Sequence, residues 1–193
     1  MSQLQSENKS EKELLDALRK SALEELRFFS NGGKQERERW VVSQFLSQLN
    51  LTFDETELCS LDLHNKIDVQ FRDANFQVKE ILTKGVMRYR DAEAKYKALV
   101  TAKNLRDIKW PSFGYDIPPI STIYNLVSAE TLSLSYKAKY ASIKSGLDLL
   151  FYVTRIYASL IKKGEIDSEY LSSIGWRSIS CLAGDQAIVL FAS

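Results

Sequence analysis

The apolar spacing of this chain changes period partway along, and that change restricts the fold more than any other feature. Leu14, Leu18, Ala22, Leu26 and Phe29 recur at helical spacing until Asn31-Gly32-Gly33. Trp40, Val41, Val42, Phe45, Leu46 and Leu49 repeat the pattern until Asn50. Ser10 and Glu13 have capping-box spacing, so the first helix is expected to begin there. Past Leu51 the period falls to two. Ile67, Val69 and Phe71 alternate with Asp68, Gln70 and Arg72, and Phe76 and Val78 alternate with Gln77 and Lys79. With Asp73-Ala74-Asn75 as turn chemistry between them, these two runs predict a β-hairpin. Neither a pure helix bundle nor a pure β-sandwich accommodates both periods, so the expected class is α/β.

Downstream, Lys84-Gly85 leads into a polar helix from about Met87 to Ala102, and all three prolines fall between Asn104 and Ser121 in a long loop. Tyr136, Tyr140, Ile143, Leu147, Leu150, Thr154, Ala158 and Ile161 form a stripe that predicts one long helix or a helix pair over 131–163. Trp176 to Leu182 and Ala187 to Phe191, joined by Ala183-Gly184-Asp185, predict a second hairpin. The expected organisation is an accessory N-terminal helix over 1–32 and one domain over 33–193.

Charge and cysteine content narrow the chemistry. Lys plus Arg number 26 against 25 Asp plus Glu, so no global field announces a polyanionic partner. Two cysteines and one histidine are too few for a disulfide scaffold or a Cys/His metal site, so catalysis would fall to carboxylates and lysines. His64 is expected to be a solvated or hydrogen-bonded loop residue. The longest apolar run, near Leu147 to Val153, is far below the ~18 residues of a membrane span. Met1 to Lys12 is polar rather than signal-like, so a cytoplasmic protein without membrane contact is expected.

Charge is nevertheless segregated along the chain. From Lys79 to Lys109 nine cations face four acids, a local +5, whereas Asp54, Glu55, Glu57, Asp62, Asp68 and Asp73 make an acidic stretch. A metal site within a phosphate-binding surface has that character, although lysines on the wet faces of helices also produce it. Lys84, Arg88, Arg90 and Tyr96 are the candidate nucleic-acid contacts, since arginine pairs phosphate bidentately and tyrosine stacks on bases. Trp110, Phe113 and Tyr115 suit either a stacking platform or the lid of a small satellite core.

On the first hairpin, period two puts Asp68 on one face of its strand and Gln77 with Lys79 on one face of the next, with valines and phenylalanines behind. A carboxylate, an amide oxygen and an ammonium together suit metal-dependent phosphodiester hydrolysis. They equally suit a cross-strand ion pair worth ~0 to 1 kcal/mol.

Ile67-Asp68-Val69 followed by Phe76-Gln77-Val78-Lys79, after a helix bearing Glu36-Arg37-Glu38, resembles the PD-(D/E)xK nuclease superfamily. Within it, these segments and Arg88-Tyr89-Arg90 are similar to a family of uncharacterised bacterial proteins assigned as endonucleases, in a QxK form. The resemblance spans roughly 33–99. It implies a restriction-endonuclease-like mixed sheet flanked by helices, with Mg²⁺ or Mn²⁺ as cofactor and nucleic acid, DNA foremost, as partner. It further implies Asp68, Gln77, Lys79 and Glu38, or alternatively Glu36, as catalytic residues, with Asp68, Gln77 and the Val78 carbonyl on the metal. Glu38 is preferred because it lies one turn before Val42 on the inward stripe. Two departures stand out: Ile67 replaces proline, and Gln77 replaces an acid, which removes a charge that would hold the metal. The competing expectations are a non-catalytic nucleic-acid-binding or protein-interaction module on a decayed nuclease fold, and a scaffold that forms a homodimer through 131–163.

Overall fold

A computed structural model describes residues 2–61, 66–83, 85–112, 121–154, 158–159 and 166–193. His64, Lys84, Phe113 and Tyr115 lie outside the described residues. In chain order the helices and strands are α1 Ser2–Phe29, α2 Lys34–Gln48, β1 Leu58–Ser60, β2 Val69–Phe71, β3 Ala74–Ile81, α3 Arg88–Thr101, β4 Ser121–Thr122, α4 Ile123–Ser135, β5 Asp148–Val153, β6 Ala158–Ser159, α5 Ser168–Ile174, β7 Ser178–Ala183 and β8 Gln186–Ala192. They form two compact units, Met1–Lys34 with Gly85–Asp116, and Gln35–Lys84 with Ile117–Ser193. The expected accessory helix thus shares its unit with a segment distant in sequence.

The smaller unit is an antiparallel pairing of α1 and α3 around Leu15, Ala22 and Leu99, with Leu18, Tyr96, Leu105 and Ile108 packed against them. So small an apolar core is supplemented by polar clasps. Arg19 donates to the carbonyls of Leu99 (3.1 Å) and Ala102 (2.7 Å), occupying oxygens that the end of α3 leaves without helical partners. Glu25 accepts from Lys95 at 2.6 Å, and Glu11 from the Leu105 N–H at 2.9 Å. Helix α1 begins at Ser2 rather than at the Ser10 cap, so the capping-box pair lies inside the helix. It ends as expected before the glycines. There Ser30 Oγ accepts from the Gly33 N–H at 3.3 Å, and a Cβ on Gly33 would overlap the carbonyls of Arg27 and Phe28.

The larger unit is built on a mixed sheet of order β1-β2-β3-β5-β7-β8, parallel at β3–β5 and β5–β7 and antiparallel elsewhere. One face packs on Val41, Val42, Phe45 and Leu46 of α2. The other carries the larger core, with Ile123, Val127 and Leu134 of α4, Leu171 and Ile174 of α5, and Tyr140 and Trp176. A second, two-stranded sheet pairs β4 with β6.

Both hairpins form where period two predicts them. The first turns at Arg72-Asp73, one residue early, with Arg72 in the left-handed region at φ 52°. Its guanidinium is held by Glu57 at 2.8 Å, and Asn75 lies in β3. The helix expected over 131–163 does not form. Helix α4 stops at Ser135, 3₁₀ turns follow at Ala138–Tyr140 and Lys144–Gly146, and 148–153 is a central strand. A strand between two parallel neighbours is covered on both faces, so it needs a continuous apolar run, and Leu149, Leu150 and Phe151 supply one. Chance agreement of that run with a helical stripe misleads the period. Among the described residues no helix is long and apolar enough to cross a membrane.

Strands β5 and β7 enter the sheet through a polar cluster. Asp148, buried, accepts from the Asn75 N–H at 2.8 Å, Ser178 Oγ at 2.7 Å and both Nε (2.9 Å) and a terminal nitrogen of Arg177. Arg177 also donates to the Asp73 carbonyl at 2.8 Å. The hydrogen bond to Asp148 outweighs partial burial and holds the Arg177 guanidinium above its ordinary range.

Candidate functional site

The β2–β3 ladder pairs Phe71 with Ala74, Gln70 with Asn75 and Val69 with Phe76. Asp68, one step beyond, still donates its N–H to the Phe76 carbonyl at 2.8 Å. Past that point the two strands part, and the Val78 backbone groups on the β2 side need other partners. Two side chains provide them. The Val78 N–H donates to Asp68 Oδ2 at 2.9 Å, and Lys79 Nζ donates to the Val78 carbonyl at 2.8 Å. Lys79 Nζ also lies 3.7 Å from Asp68 Oδ2.

Alternation along β3 puts Phe76 and Val78 against α2 and turns Gln77 toward the opposite core. There the Gln77 Nε2 donates to Asp68 Oδ2, while its Oε1 accepts from the Tyr140 hydroxyl at 3.0 Å. Gln77 is 3% exposed, Asp68 8% and Tyr140 fully buried, so this is an interior network with one edge open at Lys79. Acid, amide and amine therefore converge, as the alternating pattern implies.

Chemically, the arrangement is a carboxylate that accepts from the Gln77 amide nitrogen and the Val78 N–H, with the Lys79 ammonium 3.7 Å away. The Lys79 ammonium lies between Asp68 Oδ2, at 3.7 Å, and the Val78 oxygen, at 2.8 Å. A divalent ion in place of that ammonium would meet one carboxylate oxygen and one carbonyl oxygen and would depend on water for its remaining ligands. Gln77 does not present its oxygen to that place, because Tyr140 occupies it. Among the described residues no three His, Cys, Asp or Glu side chains cluster for a metal.

The other expected residues are distributed differently. Glu38 is buried on the inward stripe of α2. Arg88, Arg90 and Tyr96 lie on α3, in the smaller unit. Arg88 stacks its guanidinium 5.1 Å from the Phe29 ring centre, and Arg90 donates to Asp91 at 3.1 Å and to the Gly85 carbonyl at 3.4 Å. Tyr96 packs against the Leu15, Ala22 and Leu99 core. Trp110 is 56% exposed. Tyr140 escapes sequence reasoning altogether, since a tyrosine in an apolar stripe carries no mark of a polar partner 63 residues away.

A family model described as "Putative endonuclease, protein of unknown function (DUF1780)" matches residues 10–193. The fold is similar to a solved structure from Pseudomonas aeruginosa strain PAO1, described as a protein of unknown function of the monooxygenase superfamily. The TM-score is 0.58 at 24% identity, covering 93% of this chain and 84% of that one. No curated protein matches the sequence significantly.

Proposed function

This chain belongs to the family described as "Putative endonuclease, protein of unknown function (DUF1780)", and from that premise we propose that it hydrolyses nucleic-acid phosphodiesters, DNA foremost, with a divalent metal on a PD-(D/E)xK-like core. The observation that carries the reading is the pair of oxygens, Asp68 Oδ2 and Val78 O, sharing the Lys79 ammonium at 3.7 and 2.8 Å. In this reading Asp68 and the Val78 carbonyl hold Mg²⁺ or Mn²⁺. The bound ion would supply Lewis-acid polarisation of the phosphoryl group and an acidified water. Lys79 orients the attacking water and offsets negative charge as it develops on phosphorus. Gln77 keeps the Asp68 carboxylate in place through its amide nitrogen. Glu38, buried on α2, would assist from the helix. The basic segment from Lys79 to Lys109 offers sequence-independent attraction to the phosphate backbone.

The test is cleavage of plasmid DNA and of single-stranded oligonucleotides with Mg²⁺, comparing wild type with Asp68→Asn, which retains an acceptor for the Val78 N–H. Loss of at least a hundredfold in rate with unchanged thermal stability is expected. Equal rates in the two proteins overturn the assignment.

A second reading is favoured by one observation, the capture of the Gln77 oxygen by Tyr140, which withholds that oxygen from a cation beside Asp68. In that case the fold binds nucleic acid without cutting it. Calorimetric titration with Mn²⁺ separates the two, since a non-catalytic module shows no stoichiometric heat that Asp68→Asn removes.

A further inference from the structure

Gln77 stands between two partners that fix which end of its amide faces which way. Its Oε1 accepts from Tyr140 Oη at 3.0 Å, and its Nε2 donates to Asp68 Oδ2. Reversing the amide would set its oxygen against a carboxylate oxygen and leave the tyrosine proton without its acceptor. Tyr140 is in turn rigidly placed. It is fully buried, sits 5.2 Å from the Trp176 ring, and ends the 3₁₀ turn Ala138–Tyr140, donating its backbone N–H to the Lys137 carbonyl at 2.9 Å. Its carbonyl accepts from Ile143 N–H at 3.1 Å. Both ends of this tyrosine are thus committed, the backbone to the turn and the hydroxyl to Gln77.

We propose that Tyr140 is a positioning residue that locks the Gln77 amide with its nitrogen on Asp68, so that Gln77 serves the carboxylate as a donor and contributes no oxygen to a cation. This rests on the proposed metal-dependent reading for its functional meaning, but the lock itself is a property of the apo protein. The position held by Gln77 is the one from which a second oxygen would reach a cation on Asp68, and Tyr140 is what withholds it. Two consequences follow from the chemistry. Removing the tyrosine hydroxyl frees the amide to rotate and offer its oxygen when a divalent ion is present. Replacing the amide by a carboxylate places a second anionic oxygen beside Asp68 whether or not Tyr140 donates to it.

The test needs no activity. In nitrogen-edited NMR of the full chain, the two Gln77 side-chain amide protons are expected to exchange slowly with water in wild type, and to lose that protection in Tyr140→Phe. Manganese chloride titrated by calorimetry is expected to bind three- to tenfold more tightly to Tyr140→Phe than to wild type, the equivalent of one net hydrogen bond. It is expected to bind more than tenfold more tightly to Gln77→Glu. A tyrosine that merely fills the core would lower metal affinity when changed, or leave it alone. Rapid exchange of the Gln77 amide in wild type overturns the proposal without any variant, and so does unchanged protection in Tyr140→Phe. If the amide is protected in wild type and released in Tyr140→Phe while no protein binds manganese, the lock stands and the metal-dependent reading fails.

Discussion

Lys79 occupies the two oxygens that the proposed ion would take, and this makes a prediction with opposite signs for binding and for turnover. The perturbation is Lys79→Met, which keeps the aliphatic stem and deletes the charge. In the wild type an incoming divalent ion must displace an ammonium that donates to Val78 O at 2.8 Å and stands 3.7 Å from Asp68 Oδ2. A hydrogen bond from a charged donor contributes about 1.5 to 3 kcal/mol where it is dry. Lys79 is 27% exposed, so screening reduces the competition to about 1 to 2 kcal/mol. Manganese binding by Lys79→Met is therefore expected to tighten by about five- to thirtyfold, since 1.4 kcal/mol is a factor of ten. Hydrolysis is expected to slow by roughly a hundredfold or more, the typical loss when a transition-state donor is removed. Isothermal calorimetry with manganese chloride and a fluorescent oligonucleotide assay read the two quantities on one protein sample. If Lys79→Met binds manganese as wild type does, or less well, the ammonium is not holding a cation site and the argument fails.

Three further expectations concern other parts of the molecule. Asp148→Ala strands three donors, the Asn75 N–H, Ser178 Oγ and the Arg177 guanidinium, and is expected to lower unfolding free energy by about 3 kcal/mol in urea, near the lower end for breaking a buried pair; a loss under 1 kcal/mol would refute it. Burial pushes the Cys181 thiol up to about 12 from 9.0. Because the folded value exceeds the unfolded one for an acid, the protein should hold its stability below pH 9 and lose about 1.4 kcal/mol by pH 10, a loss that Cys181→Ala abolishes in urea titrations at the two pH values. Trp110→Ala, at an exposed site, is expected to leave the urea midpoint unchanged while weakening binding of a single-stranded oligonucleotide by about 1 to 3 kcal/mol in fluorescence titration; unchanged affinity would remove Trp110 from the binding surface.

What the sequence reveals of this molecule depends on how local each cause is. The first two helices and both hairpins arise from apolar spacing against a single neighbouring layer, so their periods survive in the sequence. Strand β5 has a non-local cause. It is flanked by β3 and β7 and covered on both faces, so nothing forces polar residues into alternate positions, and Leu147 to Phe151 matches a helix as well as a strand. Asp148 illustrates the same limit. In sequence it is a lone acid in a basic segment, whereas in the fold it is the acceptor for a strand start, a serine and an arginine 29 residues away. Asp68, Gln77 and Lys79 were legible because cross-strand geometry fixes their neighbourhood once the turn is known. Tyr140 was not, since its relation to Gln77 passes through the tertiary packing of a 3₁₀ turn.

The parting of β2 from β3 also decides which experiments can identify chemistry here. At Val78 the sheet gives up a ladder partner, and a backbone N–H left unpaired in the interior would cost about 1 to 3 kcal/mol. Asp68 accepts that N–H at 2.9 Å, so the carboxylate has a structural duty before any substrate arrives. Lys79 has a weaker one toward the Val78 carbonyl, open to solvent on one side. Alanine at position 68 would therefore remove an acceptor and a charge at once, and lost activity in it would say little about catalysis. Asparagine retains an oxygen for Val78 while it removes the charge and turns the other oxygen into an N–H donor, which makes the comparison of Asp68→Asn with Asp68→Ala informative by itself. If stability falls only in the alanine protein while cleavage is lost in both, the charge of Asp68 is required for the reaction and its oxygen for the fold.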